Sequence, residues 1–183
     1  MFYINSAIFA PLWEQNKHKM NVTFHTLGSI ATAAVLSPTG NWRSVAALKR
    51  YAIGFVSGIL IHGILDFLPH NYPLPSKFDV AFAIVLLILT LWLAQKQNRL
   101  LVLICFIGSI LPDVIDLGAG IANKHLGIPV PQLDFKFFPW HWEEYSGSIY
   151  DDSHSFESAI FHLLFLLICF ILIYAYRKSI FRF

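Results

Sequence analysis

The chain has 183 residues, of which 56% are hydrophobic and only 13% charged, with a mean hydropathy of +0.59. Soluble domains average about 25% charged residues, so this composition excludes an ordinary soluble fold and places the chain in the membrane class. A net charge of +2 without a basic stripe excludes a nucleic-acid partner.

In chain order, residues 1–20 have no basic leader and no small-residue cleavage site. They read as a retained interfacial segment anchored by Phe2, Tyr3 and Trp13. Asn21 or Thr23 opens a first helix running to Leu36. Its small residues (Gly28, Ser29, Ala31, Ala33, Ala34) allow close helix approach. After a turn at Pro38 and Gly40, a second span covers about residues 51–68, with Gly54, Gly58 and Gly63 on it. Pro69, Pro73 and Pro75 end that span. A third span, 78–94, carries no ionisable residue after Asp79.

The fourth span, 100–121, contains G-S-I-L-P-D-V-I-D at 108–116. A carboxylate at bilayer depth costs roughly 3 kcal/mol, so Asp113 and Asp116 call for an interior partner or an ion. Pro112 cannot donate to the Gly108 carbonyl, and the sequence predicts a helix broken near Pro112. Residues 122–157 form a long aromatic connection, read as an extracytoplasmic functional or interfacial loop. A last span covers 158–176. Cys105 and Cys169 lie inside apolar runs and read as packing residues. The expected architecture is therefore all-α: one integral membrane domain, 1–183, of about five helices.

Basic residues cluster at 43–50, 96–99 and 177–182, which alternating spans put on one side, the cytoplasmic one. Counted from Arg50 and Arg99, His62 and Asp66 stand about 18 and 24 Å into the bundle, and Asp113 and Asp116 about 21 and 26 Å. His25 and His154 fall near the same outer layer. His62–Asp66 at i, i+4 and Asp113–Asp116 at i, i+3 each share a helix face. This mixed set of imidazoles and carboxylates suits a divalent metal: zinc first, with manganese or iron as alternatives. His70 reads as interfacial and His162 as a packed interior residue. His18, His125 and His141 read as loop residues outside the site.

L-P-D-V-I-D at 111–116, H-x-x-x-D at 62–66, His25 and D-S-H-S at 152–155 together resemble the bacterial membrane-bound metal-dependent hydrolases. These are the YdjM-like group of small inner-membrane proteins. The resemblance covers about residues 20–165 and departs from the group's pattern in the spacing of the two acids, in a missing earlier histidine and in motif order. It implies a multi-pass protein of the bacterial cytoplasmic membrane, with His25, His62, Asp66, Asp113, Asp116 and His154 as metal-site residues. Asp113 and Asp116, or Asp66, would supply the general base. The expected function is hydrolysis of a small-molecule or lipid-like substrate, a phosphoester among the candidates. The alternatives are a metal-ion or proton-coupled transporter and a non-catalytic structural membrane protein.

Overall fold

The computed structural model of the chain describes residues 21–37, 44–72, 74–149 and 156–182. The expected N-terminal interfacial segment, His18, the Pro38–Gly40 turn, Asp151, Asp152 and His154 lie outside the described residues. The fold is all-helical: α1 (Val22–Leu36), α2 (Ser44–Phe67), α3 (Ser76–Leu93), α4 (Arg99–Asp116), short α5 (Gly118–Ile121), α6 (Phe156–Ala175) and short α7 (Arg177–Ile180).

Four of these helices are long and apolar enough to cross a membrane. The sequence predicted five spans, and the difference is α1. Its 15 residues reach about 22 Å, short of a hydrocarbon core of about 30 Å. Instead α1 is the centre of the bundle, packed by α2, α3, α4 and α6. Its alanines, glycine and hydroxyl residues are what permit this, since Ala33, Ala34, Thr26 and Ser29 are all fully enclosed. Its hydroxyls stay satisfied by bonding back one turn, Thr26 Oγ1 to the Val22 carbonyl at 2.7 Å and Ser37 Oγ to that of Ala33 at 2.7 Å. Its N-terminal amides, which have no partner within the helix, are capped from α3: the Asp79 carboxylate accepts from Val22 N at 2.6 Å and Thr23 N at 3.2 Å. This explains a buried acid at a helix start that the sequence left without a role.

The outer helices turn apolar faces outward. Ile53, Val56, Leu60 and Ile64 of α2, Phe82, Val85 and Trp92 of α3, and Leu163, Leu167 and Phe170 of α6 are all exposed.

α2 and α4 pack backbone to backbone. A Cβ at Gly58 would lie 2.5 Å from the Cys105 carbonyl oxygen and 2.8 Å from Ser109 N, so this approach requires glycine. The contact also bears on Pro112, where the sequence predicted a break. α4 instead runs unbroken from Arg99 through Pro112 to Asp116. Side-chain hydrogen bonds tie this stretch of α4 to its neighbours. His62 Nδ1–H of α2 donates to the Ser109 carbonyl at 2.6 Å, and Ser109 Oγ ties to the His25 carbonyl of α1 at 3.0 Å.

At one end of the bundle, α7 folds back against the α3–α4 connection, with Asn98 Nδ2 donating to the Ser179 carbonyl at 2.7 Å. At the other end, residues 122–149 form more than a connector. A π-helical turn (Ala122–Leu126) ends at Gly127 in the left-handed region, φ 65°. A 3-10 turn, Pro139–His141, then drops onto the bundle. The strand-like segment after it pairs with the end of α2, where Gly147 N donates to the Asp66 carbonyl at 2.8 Å and Ile149 N to that of His70 at 2.8 Å.

Candidate metal centre

The last two turns of α2 carry His62 and Asp66, the end of α4 carries Asp113 and Asp116, and the first turn of α1 carries His25. The structure brings these five together. To them it adds His141, which the sequence reading left among the loop histidines; His154 lies outside the described residues.

His62, Asp66, Asp113 and His141 each offer one ligand atom, all within 4.8 Å of one another. His62 Nε2 stands 3.1 Å from Asp66 Oδ2, 3.7 Å from Asp113 Oδ1 and 3.3 Å from His141 Nε2. His141 Nε2 stands 3.2 Å from Asp66 Oδ2 and 3.4 Å from Asp113 Oδ1. Four donors at about 2.0–2.1 Å from a tetrahedral ion stand about 3.3–3.4 Å apart, so the cluster could hold a metal ion. Two carboxylates and two imidazole nitrogens at this spacing repel one another unless a cation or protons lie among them.

The tautomers follow from what holds the other ring nitrogens. His62 Nδ1–H is committed to the Ser109 carbonyl, which leaves the Nε2 lone pair facing the cluster. His141 Nδ1–H donates to Asp116 Oδ2 at 2.8 Å, again turning Nε2 inward. A ligating imidazole whose second nitrogen is held by a carbonyl or carboxylate is the usual arrangement at metal sites. His25 differs. Its Nε2 lies 3.3 Å from Asp66 Oδ1, where an N–H would orient that carboxylate, and its ring stacks on His62 with centroids 4.1 Å apart. Its Nδ1 is buried without a partner among the described residues.

Asp116 has both carboxylate oxygens engaged by the loop. Oδ1 accepts from Phe137 N at 2.9 Å, and Oδ2 from Phe138 N at 3.0 Å and from His141. The fourth residue of the cluster thus comes from a loop that the acid at the end of α4 folds into place. Trp140 seals it from the side: a Cβ on Gly63 would come within 2.7 Å of the Trp140 ring, so only glycine admits the indole there. Burial lowers the pKa of His141, yet its hydrogen bonds to Asp113, Asp66 and Asp116 outweigh it and carry the value up to about 10.

Nearby histidines are spoken for. His70 Nδ1–H donates to the Leu68 carbonyl at 2.8 Å and its Nε2 meets the Tyr72 hydroxyl at 3.1 Å; burial holds its pKa below the ordinary value. His162 stacks on Phe24 at 4.4 Å. A cavity of about 30 Å³ lies beside the cluster, lined by His25, Asp66, His70, His162 and Phe165 among others. That is room for water, with polar partners to hold it. Asp66 is the cluster member with most access, its side chain 16% exposed against 5% or less for the other three.

His141 escaped sequence reasoning because a loop has no periodicity from which to compute depth. The usable signal was P-W-H-W, a histidine among bulky aromatics in the connection that follows the two acids. No family model, curated protein or solved structure matches this chain.

Proposed function

We propose that the chain is an integral membrane metal-dependent hydrolase. In this reading His62, Asp66, Asp113 and His141 hold one divalent ion, zinc by donor type, near the outer face of a bacterial cytoplasmic membrane. The observation that carries it is that four ligand atoms lie within 4.8 Å of one another, each histidine nitrogen 3.1–3.7 Å from the others, with both imidazoles turning Nε2 inward.

The membrane placement is supported by four spanning-length helices with apolar outer faces, since contiguous apolar surface of this extent is rare in water. The basic residues around 49–50, 96–99 and 177–182 belong to the end of the bundle opposite the site, which supports an outward-facing site by the positive-inside rule.

A divalent ion bound there supplies Lewis acidity and lowers the pKa of a coordinated water toward neutrality. The chain's own groups supply the rest. Asp66, open to the water-sized cavity and steadied by His25, is the proton acceptor. Asp113 is a ligand. Asp116 acts through His141 and is a positioning residue rather than a catalytic one. A carrier reading rests on intramembrane acids and a discontinuous helix, and the continuous α4 withdraws the second of these supports.

The test is hydrolysis of an ester panel by detergent-purified protein, with metal content measured alongside. Wild type should lose turnover to a chelator and regain it with metal; Asp113→Asn should do neither. Metal-dependent ion flux in proteoliposomes, with no hydrolysis anywhere in the panel, would overturn the proposal.

A further inference from the structure

α2 and α6 both pack on α1 and barely touch each other, which leaves a long groove between them with α1 as its floor. The groove has a volume of about 450 Å³, and its lining includes Gly28, Thr32, Ser57, Ile61, Phe165 and Ile168. That is within the size range of small-molecule sites. Its walls are almost wholly apolar, and it opens sideways among the apolar outer faces of α2 and α6.

Three helical registers lead from the metal centre into it. On α1 they pass from His25 to Gly28 and Thr32; on α2 from Leu65 beside Asp66 to Ile61 and Ser57; on α6 from Phe161 and His162 to Phe165 and Ile168. Phe165 lines both the groove and the water-sized cavity at Asp66. The partition between the two is thin. A Cβ on Gly28 would meet Ile61 Cγ2 at 2.9 Å and Phe165 Cζ at 3.0 Å, so these side chains close directly over the glycine.

We infer that this groove is an acyl-chain site and that the substrate is an uncharged lipid ester, its tail lying along Ser57 and Ile168 and its ester passing Phe165 to reach Asp66. The inference rests on the hydrolase reading for the ester, and on the groove alone for the tail. Charge argues for an uncharged head. Asp66, Asp113 and Asp116 bring three negative charges to one divalent ion, and the Lys136 ammonium is held on the His141 carbonyl at 2.7 Å. That leaves no net positive charge to attract a phosphate. In the reaction water adds to the ester carbonyl, the acyl–oxygen bond breaks, and water's protons end on the leaving alcohol and, through Asp66, in solvent.

The experiment has a binding arm and a turnover arm. A C16 monoacylglycerol bearing a diazirine in its tail is photolysed with protein in nanodiscs, and labelled residues are mapped by mass spectrometry. Saturable labelling is expected around Thr32, Ser57 and Ile168, retained in Asp113→Asn because the tail does not need the metal. Ser57→Trp fills the groove from α2 and should reduce the saturable labelling to background. Ile168→Trp, made at a position 54% exposed and therefore tolerant, should act alike from α6. In the turnover arm, both variants should lose long-chain ester hydrolysis while retaining metal and short-chain hydrolysis. Labelling spread evenly over the α3 face at Val85 and Leu89, or unchanged in both tryptophan variants, overturns the groove as an acyl site. Saturable groove labelling without metal-dependent hydrolysis of any ester upholds the acyl site and overturns the hydrolase reading instead.

Discussion

The role assigned to Asp116 gives the sharpest test of the site, because it predicts a graded loss of metal affinity from a residue that touches no metal. Its carboxylate takes three N–H donors: Phe137 N on Oδ1, and Phe138 N and His141 Nδ1 on Oδ2. In Asp116→Asn the amide oxygen keeps the pair on the Oδ2 side. The –NH₂ then faces Phe137 N–H, which belongs to an exposed residue and can turn to water. Loop and tautomer survive, and what is lost is the negative charge that makes His141 a stronger donor. In Asp116→Ala all three donors are released, and His141 no longer has a fixed ring orientation or tautomer. Changes to such supporting groups cost about 10–100-fold in metal affinity. The asparagine variant belongs near the lower figure and the alanine variant near the upper, or about 1.4 and 2.8 kcal/mol. His141→Ala, which deletes a ligand, should bind more weakly than either. Competition titration with a chromophoric chelator in detergent reads all four proteins on one scale. Wild-type affinity in Asp116→Ala would refute the positioning role. Weaker binding in Asp116→Ala than in His141→Ala would make Asp116 itself a ligand.

Two further outcomes follow from buried acids and the loop histidine. The folded pKa of His141 is raised, so its protonation stabilises the metal-free fold below about 6.5, and that contribution is lost as pH rises through about 10. Metal must displace this proton, so binding at pH 7.5 should release it, seen as a buffer-dependent heat in calorimetry, with affinity falling about tenfold per pH unit on acidification; a buffer-independent heat would show that His141 is already neutral. At the α1 cap, Asp79→Ala should cost about 0.5–2 kcal/mol in reversible SDS unfolding while leaving metal affinity intact; a large loss of metal affinity would mean that α1 and its His25 hold the ligands more directly than the contacts indicate.

The sequence made the helices legible because their apolar runs are long, and it made four of the site residues legible because regular helices convert residue number into depth. His62, Asp66, Asp113 and Asp116 fell into one layer by that arithmetic, and the structure brings them to one place. Where the chain leaves regular helix, the arithmetic has nothing to count. His141 arrives through a loop whose path is set by three hydrogen bonds to Asp116 and by the Trp140 ring over Gly63, both tertiary facts. Pro112 shows the same limit in reverse. Its local chemistry argues for a break, and only the structure shows that the helix continues through it. α1 reads like any apolar helix, and its central position follows from small residues on every side rather than from one stripe.

The three histidines of the cluster have one side chain and two uses, divided by what the nitrogen away from the cluster touches. In His62 that nitrogen meets the Ser109 backbone carbonyl, and in His141 a carboxylate already pinned by two amides, so each ring turns its Nε2 inward. His25 has no such anchor. Its Nε2 addresses Asp66 Oδ1, the outward side of the one carboxylate that borders the water-sized cavity, while its Nδ1 stays without a partner among the described residues. With Nε2 turned to Asp66, this ring serves to orient that carboxylate. The stack of His25 on His62 keeps the two uses side by side: the ring nearer α4 turns Nε2 into the cluster, and the ring on α1 serves the carboxylate that borders the cavity.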